Sequence, residues 1–188
     1  VCATSFAFGQ MNSNTVEQTG ADNLATVAQV GLVNYNNLIQ MGDENKSTTD
    51  QFGVLNDNAA LQFGNLNSVD VTQTGGLNAN ITIQVGDENE SLVLQDGIGN
   101  TSDQLQFGSF NLADVEQLGS YNESLQMQDG DGNILFAVQD GSYNIADQWQ
   151  EGDLNGALAL QLGISNFAYQ TQIGNENIAI ALQDGGLN

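Results

Sequence analysis

Carboxylates are the side chains best supplied for chemistry in this chain. Asp43 and Glu44 sit between Gly42 and Asn45, Asp87 and Glu88 repeat that arrangement, and Asp129, Asp131 and Glu151 follow further along. Oxygen-rich turns of this kind suit Ca²⁺, a hard cation that takes carboxylate and carbonyl ligands. Asp129 and Glu151, if stacked, would also repel unless a cation bridged them. The glycine-rich nonapeptide of calcium β-rolls is absent, however, and acids do not recur at one slot of the repeat described below. The expectation is loosely bound cations, with these residues as weak metal candidates and no specific site.

Catalysis has still less to work with. There is no His, so Ser and Cys nucleophiles lack the usual base, and carboxylate pairs are scattered without an evident cleft. Cys2 alone supports neither a disulfide nor a thiolate metal site. No cofactor and no enzymatic activity are expected. Sequons begin at Asn45, Asn80, Asn89, Asn100 and Asn122, but each Asn is predicted to point inward, as a by-product of the repeat.

The chain carries 23 acids against one basic residue, Lys46, for a net charge of -22. A phosphate-binding surface needs clustered Lys and Arg, so nucleic acid and anionic membranes are not expected partners. No apolar run is long enough for membrane insertion as a helix. The acid reads instead as a solvated surface that holds self-associating chains apart until salt or divalent cations screen it. The first residue is Val1 and not Met, as in a processed product.

What positions these residues is a repeat. Gln84-Val85-Gly86-Asp87-Glu88-Asn89 exemplifies Gln-x-Gly-x-x-Asn, which returns every 11 residues without insertion or deletion. Its glutamines are Gln18, Gln29, Gln40, Gln51, Gln62, Gln73, Gln84, Gln95, Gln106, Gln117, Gln128, Gln139, Gln150, Gln161, Gln172 and Gln183, with Ala7 standing where one more would fall. Its asparagines are Asn12, Asn23, Asn34, Asn45, Asn56, Asn67, Asn78, Asn89, Asn100, Asn111, Asn122, Asn133, Asn144, Asn155, Asn166, Asn177 and Asn188. A fixed period means one small unit copied along an axis.

Within each unit a run of about seven residues alternates in character and ends in a Gly-containing turn, which reads as strand and turn. A Gly and an Asn in every period argue against a helical coiled coil of the same period, and the absence of Pro leaves a hydrogen-bonded ladder unbroken. The parity of the Asn collects small residues (Ala25, Ser47, Ser91, Ala157), then Val16, Val27, Val71 or Gln104, Gln126, Gln148, then the fixed Gln. No acid, no aromatic residue and not Lys46 shares that parity. A buried unpaired carboxylate is prohibitively costly, so the acid-free parity is the interior.

Stacked in register, each Asn and Gln amide reaches its twin one layer away. Two units make a 22-residue coil, giving an all-β, two-sheet β-solenoid over residues 1–188 with about 17 strand-turn units, Val1, Ala3, Ser5 and Ala7 facing inward in the first. At ~4.8 Å per layer the body is roughly 40 Å long. The fixed Gly is expected at positive φ, with Gly76, Gly99, Gly132 and Gly186 in further turn slots and Gly156 within a strand.

These residues resemble the curlin repeat, found in the subunits of extracellular curli amyloid fibres. The second half of that motif, Asn-x-Ala-x3-Gln, stands here as Asn23-x-Ala25-x3-Gln29 and Asn177-x-Ala179-x3-Gln183, and the Gln-x-Gly-x-x-Asn core covers essentially the whole chain. The resemblance implies a secreted, cell-surface subunit that polymerises by nucleated addition, serves adhesion and biofilm cohesion, and has secretion and nucleation partners. Two features depart from the family. Its leading Ser is Asn in every full unit, so the half-repeats look alike, and the coils are more numerous.

The repeat reaches both ends without an atypical cap, so the ends are read as adhesive, giving a head-to-tail homopolymer and a cross-β, amyloid-like fibre. An odd number of strands then turns each subunit by half a turn. Outward apolar residues in successive layers (Ile39 and Met41, Leu61 and Phe63, Ile83 and Val85, Leu105 and Phe107) form an expected lateral-contact patch for bundling, continued by Met127 and Trp149. The alternative reading is a monomeric extracellular solenoid binding ice, a cation or a polysaccharide. Thr15, Thr26 and Thr48 share an outward slot, but Asp70, Asp103 and Asp114 interrupt it.

Overall fold

Strands of two lengths alternate along the chain, because its two corners are built differently. The computed structural model describes residues 2–8 and 11–187, so the expectations placed on Val1, Gly9 and Asn188 lie outside the described residues. Nine-residue strands, from Leu24–Leu32 through Lys46–Val54 to Ile178–Gly186, form one sheet headed by the seven-residue strand Cys2–Phe8. Seven-residue strands, from Ser13–Thr19 through Tyr35–Met41 to Phe167–Ile173, form the other. The sheets have 9 and 8 strands, each taking every second strand in chain order. All pairings are parallel and the register does not slip. Ala25 pairs Ser47, which pairs Val69, and across the body Gln40 pairs Gln62, which pairs Gln84. The protein is an all-β, two-sheet solenoid of about 8 coils.

The inward parity is as the alternation predicts. Asn23, Ala25, Val27 and Gln29 are buried, and among the described residues no Asp, Glu or aromatic residue is. Apolar packing gathers in two places, around Leu38, Val69 and Val71 and around Val115, Ala137 and Ala159. Between them the interior is polar: Asn80 Nδ2 donates to Thr82 Oγ1 at 3.1 Å, Thr82 and Ser91 hydroxyls meet at 3.3 Å, and Ser91 bonds to Gln104. Parallel sheets buried on their inner faces normally read as apolar runs. Here small side chains bring the sheets close and amides satisfy one another, with Gln29 Oε1 and Asn80 Oδ1 the buried amide oxygens left over among the described residues.

The fixed Gly is required twice over. Gly53 lies at φ 129°, and a Cβ there would stand 1.8 Å from the carbonyl oxygen of Gly75, one layer on. Sequence reasoning expected one positive φ per turn, and there is a second two residues later. Val33 (φ 59°), Phe110 (60°) and Tyr143 (58°) hold it with ordinary side chains, while Gly99 and Gly132 occupy the same slot. A left-handed L-residue costs about 1–2 kcal/mol. Ladder bonds across the corner, such as Leu55 N–H to Leu32 O at 3.0 Å, hold it there.

The half-repeats are alike in their ladders but not in their corners. After a seven-residue strand the residue following Gly is Ala21, Asp43, Asn65, Asp87, Ser109, Asp131, Asp153 or Asn175. After a nine-residue strand it is Leu32, Val54, Gly76, Ile98, Ser120, Ser142, Ile164 or Gly186, and the strand runs on through it. Gly76 and Gly186 therefore end strands, where turn slots were expected. Acids likewise do recur at one slot once the period is counted as a 22-residue coil, in Asp43, Asp87, Asp131 and Asp153. The physical reason is a side-chain bond that only Asx can make: Asp43 Oδ1 accepts from Ala21 N–H at 2.7 Å, and Asp153 Oδ1 from Asp131 N–H at 3.0 Å.

Candidate functional site

The repeated chemistry of this molecule is the amide ladder. In the nine-stranded sheet Gln29 donates through Nε2 to Gln51 Oε1 at 2.8 Å, Gln51 to Gln73 at 2.8 Å, and so on to Gln161 and Gln183 at 2.8 Å. In the eight-stranded sheet the same bonds run from Gln18 to Gln40 at 2.6 Å through to Gln150 and Gln172 at 2.7 Å. Every donor points toward the C-terminal layer, so both ladders have one polarity. The second N–H crosses the interior: Gln73 donates to Asp57 O at 2.8 Å and Gln95 to Ala79 O at 2.9 Å, on the facing sheet. Each Gln thus binds along the axis and across it.

The asparagines do more than make the twin-to-twin contact expected of them. Asn23 Nδ2 donates to Gly42 O at 2.7 Å, and its Oδ1 accepts from the backbone N–H of Asn45 at 2.9 Å. Direct amide contacts are added at some layers, as from Asn67 to Asn45 at 3.1 Å. The fixed Asn is a corner clamp that satisfies buried turn backbone, which explains its place after the left-handed residue. Asn45, Asn80, Asn89, Asn100 and Asn122 are all buried, so the sequons point inward.

Two shorter ladders were not foreseen as ladders. Asn36 donates to Asn14 at 2.7 Å, and Asn58 to Asn36 and Asn80 to Asn58, each at 2.8 Å. Gln104, Gln126, Gln148 and Gln170 form a second glutamine row with bonds of 3.0, 3.0 and 2.8 Å. Recurrence at 22-residue spacing was the available signal.

The acidic candidates are spread along the surface. Asp43, Asp87 and Asp131 accept backbone N–H bonds at one corner (2.7, 2.8 and 2.8 Å), and Glu44 and Glu88 project beside them from the left-handed slot. Asp129 and Glu151 stack in adjacent layers. Among the described residues no three His, Cys, Asp or Glu side chains converge as metal ligands. On the broad faces, burial raises the carboxyl pKa values of Asp50, Asp57, Asp103, Asp114 and Asp147 above the usual range. Neighbouring carboxylates add to this: Asp70 beside Asp50, Glu123 beside Asp103, and Glu116 and Glu90 beside Asp114.

The apolar patch occupies consecutive rungs of the eight-stranded sheet, with Ile39, Leu61, Ile83 and Leu105 in one outward row and Met41, Phe63, Val85 and Phe107 in the next. Asp57, Asp103 and Glu123 share that face. Two concavities are notches where a Gly interrupts an outward row, about 410 Å³ beside Gly132 and about 370 Å³ beside Gly76. Compared with known proteins, the chain matches no family model and no curated protein sequence.

Proposed function

We propose that the protein is the structural subunit of an extracellular, curli-like fibre, growing as copies add end to end and template one another's strands. The observation that carries this reading is the unbroken Gln ladder. Each layer offers the next the same donors at the same 22-residue register, so a layer supplied by another copy meets the partners an internal layer would meet, except in the Gln row of its leading strand, where Ala7 stands. Templated addition of this kind joins backbone edges and aligns identical side chains.

With 9 strands in one sheet and 8 in the other, an incoming copy that continues the coil places its first strand on the eight-stranded side. Successive subunits are then rotated by about half a turn. The charge of -22 opposes assembly, so added salt or Ca²⁺ speeds growth by screening. Cell-surface location, adhesion and partners in secretion and nucleation belong to the same proposal and rest on the curlin resemblance.

Seeding is the test. Sonicated fibres added to fresh protein should abolish the lag, and added salt should raise the elongation rate. Seeds that leave the time course unchanged, or growth indifferent to ionic strength, would count against templated addition. Protein that stays as discrete particles in every condition would favour the monomeric binding solenoid.

A further inference from the structure

We propose that the corner ending the nine-residue strands is an interface at which two copies of this chain pack side by side with their solenoid axes parallel. Among the described residues no carboxylate occupies either of the two positions after Gly at this corner, and the nearest acids, Asp96, Asp140 and Asp184, stand one residue before that Gly. The opposite corner carries Asp43, Glu44, Asp87 and Glu88, and both broad faces are acidic as well. Two chains of charge -22 repel wherever acids face acids, so they approach most easily where there are none. In place of charge the corner presents an apolar strip two residues wide, on which Leu55, Leu77 and Tyr121 are 47%, 55% and 50% exposed. Contiguous exposed apolar surface of this kind marks a contact.

Side-chain sizes identify a second copy as the occupant. A two-fold axis parallel to the solenoid keeps two copies level and sets the first residue after Gly in one against the second residue after Gly in the other. From Gly76 onward each layer has one small and one large residue at these positions: Gly76 beside Leu77, Ile98 beside Gly99, Ser120 beside Tyr121. Small therefore meets large in both directions, the self-complementarity that an isologous contact requires. The notch at Gly76, lined by Val54, Leu55, Leu77 and Ile98, receives Leu77 of the second copy. Tyr121 and Tyr143, stacked with ring centroids 5.2 Å apart, form the raised part that meets Ser120 and Ser142. The contact suits parallel filaments but does not need end-to-end growth, so it forms between single chains.

Sedimentation velocity on unpolymerised protein, with microscopy of any fibres, tests this. Leu55→Glu with Leu77→Glu should weaken dimerisation at least tenfold and leave fibres unpaired. The fold accepts Glu in this backbone slot, since Glu44 and Glu88 hold it at the opposite corner. The control, Leu66→Glu with Leu154→Glu, adds the same charge to that opposite corner and should still dimerise. Ser120→Cys in one chain mixed with Tyr121→Cys in another, each in a Cys2→Ser background, should form a mixed interchain disulfide, because these two positions face each other across the two-fold. Antiparallel copies centred on Gly99 would hold these cysteines about two layers, ~10 Å, apart, too far to bridge.

The proposal is overturned if the native chain stays monomeric at every concentration, if the control loses pairing equally, or if no disulfide forms. It is also overturned if Leu61→Ser with Leu105→Ser breaks pairing while the corner variant does not. Because the dimer is read on single chains, failure of this contact is distinguishable from failure of fibre growth.

Discussion

The buried Oε1 of Gln29 faces Ala7 one layer below and receives no hydrogen bond. The other glutamines of that ladder each accept the amide of their neighbour, so the fault is a missing donor. Ala7→Gln supplies it. Stability should rise by about 1 kcal/mol, seen as a higher urea midpoint with unchanged slope. An unmoved midpoint would mean that the outermost strand is too loosely held for the bond to count.

In mid-stack the opposite change should be severe. Gln95 accepts from Gln73 at 2.9 Å and donates to Gln117 at 2.9 Å and Ala79 O at 2.9 Å. Gln95→Ala removes all three bonds and leaves a cavity, costing about 3 kcal/mol or more. Gln95→Glu keeps the size but loses the donors and buries a charge. Burial raises such a carboxyl pKa, so its destabilisation should be large at neutral pH and shrink in acid. Equal losses at both pH values would show that charge is not the cause.

Two glycines should behave oppositely. Gly53→Ala drives a Cβ into Gly75 O and forces a left-handed Ala, so soluble folded protein should be lost. Nothing lies within 4 Å of a Cβ at Gly156, and its strand backbone suits any residue, so Gly156→Ala should stabilise by about 0.5 kcal/mol through the unfolded chain. Thermal unfolding of both variants checks the pair.

Val33 is β-branched at φ 59°, a conformation that Asn tolerates far better. Val33→Asn should therefore raise stability by about 1 kcal/mol, even though it removes an apolar side chain from the corner. A fall in melting temperature would mean that the side chain's contacts outweigh the backbone strain.

Acid should stabilise this protein. Burial and the carboxylates of Glu116 and Glu90 raise the pKa of Asp114, and burial with Glu123 raises that of Asp103. Such groups hold their protons more tightly folded than unfolded. The stability they contribute is full below the unfolded value of about 3.9 and is lost as pH rises through the folded one. Melting temperature should be higher near pH 4 than at pH 7, and Asp114→Asn should narrow the gap. A melting temperature that falls with acid would contradict the sign.

The sheet register was legible in the sequence because a one-residue slip would turn Asp114 or Phe136 inward and Gln117 out, and a two-residue slip would part Gln117 from its twin Gln139, 22 residues on. The corners were hidden for the opposite reason. Gln and Asn repeat every 11 residues, which masks the 22-residue alternation of Asp43 and Asp87 with Val54 and Gly76. The left-handed slot carries no compositional signature: Val33, Glu44, Phe110 and Tyr143 all hold it, because ladder bonds from neighbouring layers override local preference. The role of Asn23 as a clamp on Gly42 was out of reach, since the bond depends on turn geometry that periodicity does not encode.

The most direct test of end-to-end assembly is fibre diffraction, with electron microscopy, on purified protein incubated in salt. The account predicts long unbranched filaments with a meridional reflection at about 4.7–4.8 Å, the spacing of strands stacked along the axis. Discrete particles about 40 Å long, with no meridional reflection under any condition, would contradict it.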